Sequence, residues 1–140
     1  MSNKRSRSAF CASSVGNFSG CDDGSSTTDA NSTARAVGTG ALLSRTASRE
    51  RFAPITAGLK PFTPDLFFGL GIIVANGWYV QNPMLNGYTG AMAYLPSRDL
   101  SVAIVATMRR GADEDVAYAS RLFTALTAYL APGHTATLPG

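Results

Sequence analysis

Residues 66–108 contain the pattern that determines the architecture, and they read LFFGLGIIVANGWYVQNPMLNGYTGAMAYLPSRDLSVAIVATM. From Phe68 to Val74 every second residue is apolar, which is the period of a β-strand with one buried face. The Asn76-Gly77 dipeptide that follows favours the positive φ angles of a type I′ turn and therefore predicts a hairpin. Trp78–Gln81 is predicted to be the returning strand.

Two more strands are predicted in the rest of this stretch. Asn82–Gly87 is interpreted as a loop that leads into a third strand, Tyr88–Leu95. Pro96–Asp99 is predicted to form a tight turn before a fourth, apolar strand, Leu100–Met108. The short connections are typical of hairpins, so the stretch predicts an antiparallel meander of about four strands.

One helix is predicted before the sheet and one after it. The first is short, runs from Ala41 towards Phe52 with Ser44 as its N-cap, and ends before Pro54, because proline disfavours helical geometry in the preceding residue. Residues 54–65 contain three prolines and are predicted to form a loop.

The C-terminal helix is predicted from an apolar stripe and from its two ends. Three acidic residues are placed in its first turn, near the positive end of the helix dipole, and Pro132-Gly133 ends it. We expect the stripe to pack on one face of the sheet, which makes the fold class α+β. The acidic residues are Asp113, Glu114 and Asp115, and the stripe consists of Ala112, Val116, Ala119, Phe123, Leu126 and Leu130.

The composition excludes two classes of protein. With 45% hydrophobic and 15% charged residues, the chain is too apolar for an overall disordered protein and too poor in charge for a coiled coil. Residues 1–33 are rich in serine and lack a hydrophobic period, so they are predicted to be mostly disordered. The folded domain is predicted to span residues 34–132, with a flexible tail at 133–140.

Charge and hydropathy suggest neither a nucleic-acid partner nor a membrane span. The net charge is +3, and the one short basic cluster, Lys4, Arg5 and Arg7, is interpreted as a solvated terminus. No run approaches the roughly 18 apolar residues of a membrane span. The basic start has no apolar stretch behind it and so does not resemble a secretory signal, which leaves the compartment unknown.

Few residues suggest a cofactor or catalysis by themselves. Cys11 and Cys21 could form one disulfide or remain two thiols, and no further cysteine pair or nearby histidine indicates a metal site. The single histidine, His134, falls in the tail, where a solvated side chain is expected. Gly69-Leu70-Gly71 has no helix after it, so we expect close packing against a neighbouring backbone rather than dinucleotide binding.

The order of several segments is similar to that of a known family. Phe68-Gly69-Leu70-Gly71-Ile72, the Asn-Gly turn, Gly87 to Leu100 and the apolar strand after it resemble the C-terminal part of the serine β-lactamases and D-alanyl-D-alanine carboxypeptidases, the penicillin-recognising hydrolases related to class C β-lactamases. Ala30–Ser44 is similar to a helix region of the same family. The resemblance covers residues 32–132 and implies a partial β-lactamase/transpeptidase-like fold.

The resemblance implies a serine hydrolase that acts on β-lactams, D-Ala-D-Ala peptides or esters. In the family the serine of a Ser-x-x-Lys motif is acylated and a Tyr-x-Asn motif handles a proton. A third motif, Lys-Thr-Gly or His-x-Gly, lies on a strand whose backbone donates to the substrate carbonyl. This chain contains neither of the first two motifs, and its only lysines are Lys4 and Lys60.

The third motif of the family falls on Gln81-Asn82-Pro83 in this sequence. Gln81 stands where the family has a basic residue, and Pro83 stands where it has a glycine, which removes an N–H and hinders close approach. Gln81 and Asn82 are therefore the candidate substrate-binding residues, and no catalytic residue, metal or cofactor is assigned.

These observations leave three functions open. The chain is either a C-terminal fragment of such a hydrolase, inactive alone because the nucleophile and base are missing, or a non-catalytic interaction module. The module would bind a second copy or a partner chain through an exposed sheet edge. The third alternative is an enzyme whose catalytic residues are of an unrecognised kind.

Overall fold

The computed structural model of the chain describes residues 27–85, 87–109, 111–113 and 115–139. Three α-helices and six β-strands form in this part of the chain. The helices are α1 (Thr27–Thr39), α2 (Arg45–Arg51) and α3 (Tyr118–Leu130), and a short 3-10 turn covers Pro96–Arg98. The strands are β1 (Leu66–Gly69), β2 (Ile72–Ala75), β3 (Trp78–Gln81), β4 (Met84–Leu85), β5 (Tyr88–Leu95) and β6 (Leu100–Thr107).

All six strands belong to one antiparallel sheet. Its order is β1-β2-β3-β5, with β6 on the far side of β5. β4 pairs with β5 in the same register as β3, so β3 and β4 lie end to end and the sheet is five strands wide. The α+β class, the antiparallel meander and the C-terminal helix are confirmed, and the strand number exceeds the four that the sequence predicted.

The additional strand comes from the segment that was predicted as one strand from Phe68 to Val74. The chain reverses at Leu70-Gly71, and Gly69 pairs with Ile72 across this two-residue turn. Gly71 has a φ of 64°, a backbone conformation that glycine adopts at little cost. The alternation of apolar residues hid this reversal because it continues on both sides of the turn.

The loop predicted at Asn82–Gly87 is wrong in its second half. Met84 and Leu85 pair with β5 as far as the pair of Leu85 with Tyr88, and Gly87 has a φ of 82°. Pro83 interrupts the strand because proline cannot donate to the ladder, although its carbonyl oxygen accepts from the Gly90 N–H at 2.8 Å. The type I′ turn at Asn76-Gly77 is confirmed, with φ angles of 46° and 85°.

The main core lies between the sheet and α3. Trp78 and Phe123 are fully buried there, and their rings meet edge to face with centroids 5.4 Å apart. α1 lies against β5 and β6 and buries Gly38 against the ring of Tyr94. The buried core cluster consists of Ile73, Ala75, Trp78, Val80, Ala91, Ala93, Leu95, Val102, Ile104, Ala119, Phe123, Ala131, Ala136 and Leu138.

α3 begins later than the sequence predicted. Asp113 and Asp115 precede the helix, and Glu114 lies outside the described residues. The Asp113 carboxylate instead accepts from the Asp115 N–H at 3.1 Å, which stabilises a turn, and the buried Thr89 hydroxyl accepts from the Ala119 N–H. Within the helix the predicted stripe is confirmed, since Ala119 and Phe123 are buried and Leu126 and Leu130 pack beside them.

The predicted N-cap at Ser44 is confirmed, since its hydroxyl accepts from the Ala47 N–H at 3.2 Å. Described structure extends beyond residues 34–132 at both ends. α1 begins at Thr27, inside the segment that was predicted to be disordered, while residues 1–26 with both cysteines lie outside the described residues. Residues 133–139 are not a free tail, because Ala136 and Leu138 are buried in the core.

His134 is held in place, contrary to its prediction as a solvated side chain. Its carbonyl oxygen accepts from the Trp78 indole at 2.7 Å, and its Nδ1 lies 3.2 Å from the carbonyl oxygen of Asn76. Among the described residues, no helix combines the length and the apolar character that a membrane span requires.

A candidate substrate-binding edge beside β3

The two predicted substrate-binding residues anchor different parts of the fold. The Gln81 amide donates to the carbonyl oxygen of Gly71 in the β1–β2 turn. The Asn82 amide donates to the carbonyl oxygen of Pro139, at 3.4 Å. Successive residues of an extended strand point to opposite faces, so these two side chains do not converge on one site. Their contacts are structural, and the backbone beside them is the more informative feature.

The backbone of residues 82–84 forms an open sheet edge. β2 pairs with β3 only as far as the pair of Ile73 with Val80, so no described strand flanks the chain beyond Gln81 on that side. Pro83 directs its carbonyl towards β5, where it meets the Gly90 N–H. In an antiparallel ladder the neighbouring residues face the opposite way, so the N–H groups of Asn82 and Met84 face the open edge.

Pro83 therefore hinders this edge less than expected from the N–H that proline lacks. The N–H that proline lacks would point towards β5, and its loss leaves the donors on the open side in place. The Met84 side chain is 44% exposed, which shows that solvent reaches the edge. We call the backbone of Asn82, Pro83 and Met84 the open edge.

The outer edge of β1 is closed, in contrast. The Thr56 hydroxyl accepts from the Phe68 N–H at 2.8 Å. Leu66 exchanges backbone hydrogen bonds with Thr63, at 2.9 and 3.1 Å. These contacts come from the proline-rich loop and satisfy the groups that an edge strand would offer to another chain.

The outer edge of β6 is covered in its middle. No described strand pairs with it on that side, but Ala103, whose N–H and C=O face outwards in the ladder, is only 4% exposed. Val105, further along the strand, is half exposed. A partner strand would therefore find free backbone only at the end of β6.

α2 lies beside the start of the open edge. The Arg51 carbonyl oxygen accepts from the Leu70 N–H at 2.9 Å, which joins the end of α2 to the β1–β2 turn. The Phe52 ring stacks on Tyr79 of β3, with ring centroids 4.1 Å apart. Gln81 bonds to the same turn, so Arg51 and Gln81 are held by adjacent residues, Leu70 and Gly71.

A charged cluster lies at the other end of the sheet and does not belong to this site. Arg35 forms an ion pair with Asp99, and its guanidinium lies 5.9 Å from the centroid of the Tyr94 ring. The hydrogen bond and the charge of Asp99 raise the pKa of Arg35. Burial, followed by the hydrogen bond to Asp99, raises the pKa of Tyr94.

The arrangement can bind an extended backbone or a carbonyl group, but it holds no set of metal ligands. Within the described part of the chain, no three His, Cys, Asp or Glu side chains lie close enough together to hold a metal ion. Two backbone N–H groups on one open edge can donate to the carbonyl oxygens of an extended ligand, as they would to those of a neighbouring strand.

The sequence contained a signal for the open edge that was missed. Asn86-Gly87 is a second Asn-Gly dipeptide between apolar residues, the same hairpin signal as Asn76-Gly77. Applied at this position, that rule places Met84 and Leu85 in a strand and exposes their outer edge beyond the end of β2. The backbone contact of Arg51 with Leu70 has no comparable signal in the sequence, because it depends on where α2 packs.

Comparison with known proteins supplies no relative for this geometry. No protein-family model matches the chain, and no match was found among the curated proteins or among the solved structures.

Proposed function

We propose that this chain provides the substrate-binding sheet of a β-lactamase-related serine hydrolase and that it does not hydrolyse substrates by itself. The order of the sequence segments supports the relationship, from Phe68-Gly69-Leu70-Gly71 to the last apolar strand. An antiparallel meander with a C-terminal helix on one face is the architecture that this resemblance implies.

The observation that carries the proposal is the open edge. The resemblance places the third motif on residues 81–83, and the strand there loses its β2 neighbour directly after Val80. The outward N–H groups of Asn82 and Met84 are then available to a substrate carbonyl, which is the task that the family assigns to this strand.

The absence of activity follows from the sequence. Acyl transfer requires an activated nucleophile, a base and donors for the oxyanion. The chain offers the donors but has neither Ser-x-x-Lys nor Tyr-x-Asn. We therefore expect reversible binding of a substrate analogue without acylation.

The first test uses the chain labelled with ¹⁵N and benzylpenicillin as the probe. We expect the largest shifts of backbone amide signals at Asn82 and Met84. A fluorescent penicillin should give no covalent labelling after denaturation. Shifts spread evenly over the protein would contradict the proposed site, and stoichiometric labelling would contradict the proposed inactivity.

A pair of variants makes this test specific to the backbone. Met84→Pro removes the outward N–H of the open edge, and Met84→Ala shortens the same side chain but keeps the N–H. Because that N–H is not used in the ladder, both variants should retain the fold, which circular dichroism can verify. We expect Met84→Pro to weaken binding by about tenfold, as the loss of one hydrogen bond predicts, and Met84→Ala to bind nearly as the parent does.

A further inference from the structure

The outer face of α3 is apolar, and it remains largely exposed in the described part of the chain. Opposite the face that packs on the sheet lie side chains at intervals of four, three and four residues, which places them in one line along the helix. Tyr129 is 82% exposed and Tyr118 is 37% exposed. We call this set the outer stripe, and it consists of Tyr118, Leu122, Ala125 and Tyr129.

An apolar outer face is unusual for a helix at a protein surface. Such a helix normally presents charged and polar residues to solvent, and a helix that is apolar all round is normally buried. The inner face of α3 already packs Ala119 and Phe123 into the core. Arg121 is the only charged residue of the helix, and it lies to one side of the outer stripe. The outer stripe is therefore suited to contact with a second apolar surface.

The spacing within the outer stripe is the same when it is read from either end. Turning the helix end over end about the midpoint of the stripe exchanges Tyr118 with Tyr129 and Leu122 with Ala125. Two antiparallel copies of α3 related by a two-fold axis therefore place tyrosine against tyrosine and leucine against alanine. A large residue facing a small one allows the side chains of two helices to interdigitate.

The charges beyond the two ends of α3 fit the same two-fold axis. The exposed Asp115 lies three residues before the helix, and among the described residues its carboxylate forms no ion pair. At the other end the exposed Arg98 donates to the carbonyl oxygens of Leu130 and Pro132, both at 3.4 Å. The exchange that maps the stripe onto itself places Asp115 opposite Pro132 of the second copy, at the end where Arg98 of that copy lies. Opposite charges therefore meet twice across the axis.

We infer that the outer stripe is a docking surface for a second copy of this chain, with the two α3 helices antiparallel. α3 is about 20 Å long, and one pair of such helices covers less than the about 800 Å² per partner that a stable interface buries. We therefore expect a dimer that dissociates on dilution. Dimerisation does not depend on the function proposed above, since the open edge at residues 82–84 is not part of α3.

A charge at the middle of the outer stripe should prevent the association. Ala125→Lys places an ammonium group there, and the two-fold axis brings the two new charges close together. The matched control is Ala128→Lys, because Ala128 is also exposed and lies on the same helix to the side of the stripe. Lysine is a good helix former, so both variants should keep the fold, which circular dichroism verifies.

Sedimentation equilibrium over about two decades of protein concentration measures the dissociation constants. We expect the parent and Ala128→Lys to dimerise with similar constants, and Ala125→Lys to raise the constant by more than about tenfold, because a charge is buried without a partner. A parent chain that stays monomeric throughout, or an Ala125→Lys dimer as stable as that of the parent, would overturn the inference.

The orientation of the two helices is tested in an equal mixture of isotope-labelled and unlabelled chains. Filtered NOE spectra of this mixture record contacts between chains only. We expect NOEs that join the Tyr118 ring to the Tyr129 ring, and Leu122 to the Ala125 methyl group. NOEs that join Tyr118 only to Tyr118, and Tyr129 only to Tyr129, would show a parallel pair and refute the antiparallel arrangement.

The charges at the helix ends give a third measurement. Asp115→Asn removes both contacts with Arg98 and should raise the dissociation constant by about threefold, as the loss of two exposed ion pairs predicts. The control is Asp65→Asn, since Asp65 is exposed and lies outside α3. Equal constants for Asp115→Asn and the parent would contradict the placement of Asp115 beside Arg98 of the second copy.

Discussion

Two glycines of the β1–β2 turn act through different properties. Gly69 has no side chain where the carbonyl oxygen of Arg51 approaches, and a Cβ atom there would overlap that oxygen. Gly71 has open space around it but requires a positive φ of 64°. The sequence predicted close backbone packing at this motif, and Gly69 confirms it. The reversal of the chain at Gly71 was not predicted, because the alternation of apolar residues continues through it without a break.

The two glycines should respond differently to alanine. Gly71→Ala introduces only backbone strain and should lower the free energy of unfolding by about 1 kcal/mol. Gly69→Ala forces Arg51 away from the turn and should cost about 2–3 kcal/mol, the upper part of the range for overpacking. Urea denaturation measures both values. Equal losses would show that α2 yields freely and does not press on the turn.

Tyr94 should make the stability of the protein dependent on alkaline pH. Its folded-state pKa is raised, first by burial and then by the hydrogen bond to Asp99. A raised pKa means that the folded state holds the phenol proton more tightly than the unfolded chain does. The stabilisation is complete below the ordinary tyrosine pKa of about 10 and is lost as the pH rises through the folded-state pKa.

The measurement is the free energy of unfolding between about pH 8 and pH 11. We expect the parent chain to lose stability at the upper end of this range, and Tyr94→Phe to show a flatter profile. Tyr129→Phe is the matched control because Tyr129 is 82% exposed. If the free energy of unfolding of Tyr94→Phe falls with pH as steeply as that of the parent, groups other than Tyr94 cause the alkaline loss of stability.

At the scale of elements, α3 depends on a contact from β5 for its first turn. The Thr89 hydroxyl is buried and accepts from the Ala119 N–H at 3.1 Å. Asp113 and Asp115, which the sequence placed in this turn, lie before it, and the Asp113 side chain is engaged with the backbone of Asp115. Sequence patterns identified the helix from its stripe but could not locate its start, since the capping group comes from a residue 30 positions away.

Thr89→Val removes this cap while preserving the shape of the side chain. The expected loss is about 1–2 kcal/mol, because a helix N–H becomes unsatisfied inside the protein. Thr107→Val is the control, since Thr107 is an exposed residue at the end of β6. Thermal and urea denaturation compare the two variants. A loss of similar size in Thr107→Val would indicate that strand composition, and not the cap, determines the effect.

Local sequence patterns predicted part of the sheet. The hairpin at Asn76-Gly77 and the strands β5 and β6 followed from period and turn chemistry, and the structure contains them. Asn86-Gly87 indicates the strand that contains Met84, but the open edge also depends on the unequal lengths of β2 and the β3–β4 strand. Such a difference appears only when the register of three strands is known.

At the scale of the whole molecule, residues 133–139 complete the fold. The Ala136 N–H donates to the Thr127 hydroxyl at 3.1 Å, and Leu138 fills the core beside the sheet. The Asn76 amide donates to the carbonyl oxygen of Thr135 at 2.9 Å. The sequence predicted a free tail because the segment has no periodic apolar pattern. The segment is held instead by contacts with α3, with the turn at Asn76 and with the core.

Leu138→Ala tests the contribution of this segment. We expect a loss of about 2 kcal/mol in the free energy of unfolding, the lower end of the range for truncating a buried leucine. The exposed neighbour Thr137 provides the control, as Thr137→Ala. The single tryptophan, Trp78, is the fluorescent reporter, since its indole donates to the His134 carbonyl. Unchanged stability in Leu138→Ala would show that the segment packs without contributing.

The bond from Trp78 to His134 joins residues 56 positions apart, and this has a consequence for synthesis on the ribosome. Every strand of the sheet leaves the exit tunnel before α3 and residues 133–139 do, so the nascent sheet must wait with the face around Trp78 uncovered. Chains emerge at about 5–20 residues per second, and the exposed interval lasts seconds. The nascent chain is therefore most exposed to chaperones and to aggregation during this interval.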